Sequence, residues 1–90
     1  MIKTIKPTVV RLWSAIKKQS NRNNIHIDFT YDKNTDKIEV TAMDKETSRA
    51  ITEKYLFDDL ANMSQSQLDA VIADLVRFID EGGGYNLWEK

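Results

Sequence analysis

Ninety residues, 41% hydrophobic and 30% charged, describe one small folded domain rather than a disordered chain. A chain this short buries only about 60–65% of its unfolded surface, so its stability margin is thin. The absence of cysteine excludes a disulfide framework, a thiolate metal site and a cysteine nucleophile, while the net charge of −1 conceals a sorting of charge along the chain.

Lys3, Lys6, Arg11, Lys17, Lys18 and Arg22 occupy residues 1–24 with no acid among them. Residues 55–90 carry Asp58, Asp59, Asp69, Asp74, Asp80, Glu81 and Glu89 against Arg77 and Lys90. No apolar run approaches the ~18 residues needed to cross a bilayer. The start, Met1 to Pro7, is interrupted by Lys3 and Lys6 and holds no apolar segment of signal-peptide length. A cytoplasmic protein with no membrane partner is expected. The only glycines form the run Gly82-Gly83-Gly84, so no interior linker divides the chain. Residues 1–90 read as a single domain with a flexible N-terminus over about 1–6 and a C-terminal tail over 82–90.

Pro7 suits the first turn of a helix, and Val9, Leu12, Trp13 and Ile16 follow at helical spacing. This predicts a helix from about Pro7 to Ser20, stopped by the Ser/Asn-rich stretch Ser20 to Asn24. Ile25, Ile27, Phe29 and Tyr31 then alternate with polar residues, as in a half-buried strand. Turn chemistry at Asp32 to Asp36 leads to a second alternating run, Lys37 to Met43, with Ile38, Val40 and Ala42 on one side. Another turn is expected at Asp44 to Ser48.

Residues from Arg49 to about Phe57 fit two templates. A strand places Ile51, Glu53, Tyr55 and Phe57 on one face; a helix aligns Ile51 and Tyr55 with Leu60. The strand is preferred because a lone hairpin is marginal and a third strand makes the sheet self-supporting. Asp58 to Met63 reads as a helical turn or loop. Ser64 with Gln67 three residues on forms a capping box, opening a helix whose apolar stripe is Leu68, Val71, Ile72, Leu75, Val76, Phe78 and Ile79. Gly82 supplies its left-handed stop, and the glycine run a flexible joint. The fold class is therefore α+β, in the order α-β-β-β-α: a three-stranded antiparallel meander with two helices packed on one face.

No constellation for catalysis, cofactor binding or metal binding emerges. His26 sits on a strand facing opposite to Ile25 and Ile27, as a surface histidine would. Asp32 to Glu39 lacks the glycine and the terminal acid of a calcium loop. Gly82 to Gly84 follow a helix, where a phosphate loop would precede one. The basic residues Arg11, Lys17, Lys18 and Arg22 allow an alternative reading as nucleic-acid contacts. The element order resembles the double-stranded-RNA-binding domain, but the basic cluster that opens that family's last helix is replaced here by Ser64 to Asp69.

Phe29 to Asp32, the strand Lys37 to Met43, and Asp44 to Thr47 followed by Ile51 resemble the hairpin core of the FlaG family. The resemblance covers about a third of the chain and implies a small, non-enzymatic, flagellum-associated protein. Ser48 stands where that family has Gly, Thr52 where it has Arg, and Lys54-Tyr55 where it has Ile-Pro. The residues themselves point to a small non-enzymatic protein-binding module, an accessory, regulatory or inhibitory protein that occupies a surface on a larger partner. Its contacts are expected to be Asp58, Asp59, Asp69, Asp74, Asp80, Glu81, Tyr85 and Trp88, an acidic helix face and an aromatic tail. The chain itself is expected to be a monomer or homodimer.

Overall fold

The computed structural model describes residues 5–19 and 24–86. In chain order the elements are α1 (Lys6–Gln19), β1 (Ile25–Asp32), β2 (Lys37–Asp44), β3 (Arg49–Leu56), α2 (Phe57–Ala61), α3 (Gln65–Asp80) and β4 (Tyr85–Asn86). The expected α+β class holds, with residues 49–56 as a strand. The meander has four strands rather than three, in the order β1-β2-β3-β4, all antiparallel. The fourth is two residues long, too short to show any alternation in sequence.

Register puts Ile27 beside Ala42 and Ala42 beside Ile51, with Tyr31, Ile38 and Tyr55 aligned two rows further along. Side chains on this face meet the roof formed by α1 and α3. Leu12, Ala15 and Ile16 of α1 and Leu68, Ile72, Leu75, Val76 and Ile79 of α3 close over Ile27, Ile38, Val40 and Ala42. At ~1.5–3 kcal/mol for each large apolar side chain removed from water, this layer supplies most of the stabilisation. The opposite face, with His26, Asp28, Thr30 and Glu39, remains wet.

Both hairpins turn by the same device. Asp32 accepts from the Asn34 amide at 2.9 Å, and Asp44 from the Glu46 amide at 2.9 Å. Four residues after each aspartate the backbone turns left-handed, at Asp36 (φ 56°) and Ser48 (φ 59°). Ser48 thus holds the backbone geometry that glycine favours. The first turn is tied to the end of β3: the Phe57 amide donates to the Asp36 carbonyl at 2.9 Å, and the Phe57 ring meets Tyr31 edge-on at 5.6 Å.

α3 opens with the expected capping box, the Gln67 amide donating to Ser64 Oγ at 3.1 Å and the Ser64 amide to Gln67 Oε1 at 2.8 Å. It closes with a paired stop in which the Gly83 amide reaches the Phe78 carbonyl at 2.9 Å and Gly82 that of Ile79 at 3.0 Å. Gly82 (φ 87°) is in open space, so its requirement is conformational alone. At Gly84 (φ 82°) a Cβ would fall on the Ala50 carbonyl oxygen, so glycine is what lets β4 approach β3. The glycine run is therefore a built reversal and not merely a joint.

Two substitutions separate these roles. Gly82→Ala should cost about 1 kcal/mol, lowering Tm by about 4–8 °C with β4 still paired. Gly84→Ala should release β4, read as faster amide hydrogen exchange at Asn86 while the α3 core amides stay protected. Unchanged exchange at Asn86 would show that close approach does not hold β4.

Candidate functional site

Both helices carry more apolar surface than the core uses. In α3 the expected stripe is buried at Leu68, Ile72, Leu75, Val76 and Ile79, but Val71 is only half-buried and Phe78 is 44% exposed. In α1 the buried set is Thr8, Leu12, Ala15 and Ile16, while Trp13 is 41% exposed. The expected burial of Phe78 and Trp13 is thus corrected. α1 and α3 lie side by side, so each helix can turn only part of a wide stripe inward. Trp13 rests its edge on Phe29 of β1, centroids 5.0 Å apart.

Which flank of α3 is covered follows from its contacts with α1. Gln65 Nε2 donates to the Arg11 carbonyl and to Asp69 Oδ1, both at 3.0 Å, and Lys18 pairs with Asp69. At 100° per residue, Val71, Asp74 and Phe78 point to the opposite flank. There α3 and β3 leave a groove of about 340 Å³ lined by Ile51, Glu53, Tyr55, Val71, Asp74, Leu75 and Phe78. Its walls are aliphatic and aromatic, with two carboxylates on the rim. Burial raises the Tyr55 hydroxyl above its ordinary value of 10.0, and the negative charges of Glu53 and Asp74 raise it further. Glu53 and Asp74 thus place negative charge beside the Tyr55 hydroxyl. Asp74 is also paired with Arg77 one turn on, an exposed contact that a competing cation can replace.

The residues singled out in sequence do not form one surface. Asp69 faces α1 and is used there. Asp74 stands on the groove. Asp58 and Asp59 are exposed in the first turn of α2, where acids favour the positive end of the helix by about 0.3–1 kcal/mol. Asp80 and Glu81 are exposed at the end of α3. Tyr85 lies on β4 with its hydroxyl 3.3 Å from Thr52 Oγ1, which in turn is 3.0 Å from Thr41 Oγ1 on the outer sheet face. Trp88 and Arg22 lie outside the described residues.

No family model, curated protein or solved structure matches this chain. Its surfaces are left to speak for its function.

Two of the four residues of the alternative basic site are engaged within the fold. The Arg11 guanidinium donates to the carbonyls of Ala61 (3.3 Å) and Met63, tying α1 to the α2–α3 loop. Lys18 is held by Asp69, and Lys17 is exposed. Among the described residues no three His, Cys, Asp or Glu side chains gather where they could hold a metal ion, and no helix is long and apolar enough to cross a membrane.

Ile51, Glu53, Tyr55, Val71, Leu75 and Phe78 also line the groove and belong to no motif in the sequence. Their signal in sequence was the width of the α3 stripe, which exceeds what one helix of a two-helix roof can bury.

The seam with α1 makes a pH prediction. Hydrogen bonds from Lys18, then Gln65, hold the Asp69 carboxyl below its ordinary 3.8. A depressed carboxylate stabilises the fold above its unfolded pKa of about 3.9, and that contribution is lost as pH falls through the folded value. NMR titration of Asp69 should give a midpoint below 3.8 that Lys18→Met moves upward. A midpoint unmoved by Lys18→Met would contradict the pairing.

Proposed function

We propose that this chain is a cytoplasmic, non-enzymatic binding module that docks a basic, apolar segment of a larger protein in the groove between α3 and β3. The observation that carries this reading is the exposure of Phe78 beside Val71, Ile51 and Tyr55, with Glu53 and Asp74 on the rim. Aromatic surface in a concave, partly desolvated setting is where binding energy concentrates. Rim carboxylates add selectivity for cationic side chains and speed encounter. Asp58, Asp59, Asp80 and Glu81, exposed elsewhere on the surface, add negative charge that attracts a basic partner at long range. A module of this kind acts by occupying its partner, as an accessory, regulatory or inhibitory protein does.

A fluorescein-labelled helical peptide carrying Lys, Leu and Trp on one face tests the reading by anisotropy. Binding should be micromolar and weaken with salt. Phe78→Ser and Glu53→Lys should each weaken it about tenfold or more, with circular dichroism confirming that both variants fold. Affinity unchanged by both substitutions, or equal for a peptide with Glu in place of Lys, would refute the groove as the docking site.

A further inference from the structure

The flank of α1 turned away from the core is a second apolar patch with the opposite charge. Val10 is 57% exposed and stands with Trp13, Ser14, Lys17 and Lys18 around an open hollow of about 760 Å³. No acid occurs in α1, and Lys17 is exposed at the end of the patch. Val10, Trp13, Ser14 and Lys17 recur at i, i+3, i+4 and i+7. The helical wall of the groove, Val71, Asp74, Leu75 and Phe78, has the same spacing. Each set runs for about 10 Å along its helix. One is apolar and basic, the other apolar and acidic.

We infer that a second copy of this chain docks the outward flank of its α1 into the groove between α3 and β3, so that copies associate head to tail. This rests on the reading of that groove as a docking site for basic, apolar helices and adds a second copy of the chain as an occupant besides the larger partner. Within one molecule the two patches cannot meet, because α1 packs against the flank of α3 opposite the groove, through Gln65 and Asp69. A helix seated along the groove would instead extend the roof over β3, covering Phe78 and Val71 and setting Lys17 among the rim carboxylates. The net charge of −1 opposes such self-association little. Because the contact joins unlike patches, each assembled pair keeps one free patch at either end, and growth continues unless a ring closes. The contact is small, so association belongs in a range on the order of 0.1–1 mM.

Sedimentation equilibrium on the full chain tests this with two surface variants, Val10→Asp/Lys17→Glu on α1 and Glu53→Lys/Asp74→Lys on the groove. The wild-type mass should rise past the dimer with concentration and fall back with added salt. Each variant alone should remain a monomer, and an equimolar mixture should form a one-to-one dimer and stop there, since each supplies the patch the other lacks. A wild-type chain that stays monomeric at about 1 mM, a mass that halts at the dimer, or a mixture that remains monomeric would overturn the inference. The labelled basic peptide separates the two claims: a monomeric chain that still binds it through Phe78 loses the second copy and keeps the groove, while one that does neither loses both.

Discussion

The constraint on which the rest depends is the pairing of two helices from opposite ends of the chain over one apolar sheet face. Leu12, Ala15 and Ile16 meet Leu68, Ile72 and Val76 above Ile38, Val40 and Ala42. Apolar burial drives that pairing, but apolar contact has no direction of its own. Direction comes from the polar seam: Arg11 on the Ala61 and Met63 carbonyls, Gln65 on the Arg11 carbonyl and on Asp69, and Lys18 on Asp69. The seam selects which flank of α3 is covered, and so which flank is left open. The groove beside β3 is a consequence of where α1 sits.

The sorting of charge gains a physical meaning from the same arrangement. Part of the basic N-terminal set is used internally, since Arg11 caps carbonyls and Lys18 joins α1 to α3. Part of the acidic set is used to match, as Asp69 does. What remains outward is a basic, apolar flank on α1 and an acidic, apolar groove on α3. Exposed pairs contribute little to stability. In the proposed docking, their value lies in selecting which apolar surfaces meet.

Much of the fold was legible because local chemistry and tertiary need agree. Period-two runs at Ile25 to Tyr31 and Lys37 to Met43 became strands, the Ser64–Gln67 box opened a helix, and Gly82 ended it. The ambiguous segment at 49–56 is a strand because β2 offers it a full ladder, with Ile51 and Tyr55 turned to the roof. β4 was not legible: two residues pair only because Gly84 admits the Ala50 carbonyl, a tertiary fact with no local pattern. The groove was not legible in sequence. Asp69 and Asp74 are near in sequence, but helix geometry sends Asp69 to the seam and Asp74 to the groove. Glu53 and Tyr55, from another element, complete a surface that no linear pattern contains.

The uncovered flank of α3 is the proposed meeting place with a partner. Amide and side-chain chemical-shift mapping with the basic amphipathic peptide locates the contact most directly. Shifts should concentrate at Ile51, Glu53, Tyr55, Val71 and Phe78, with the outer sheet face around His26 and Thr41 unperturbed. Shifts centred on that outer face, or on α1 with the groove silent, would contradict the proposal.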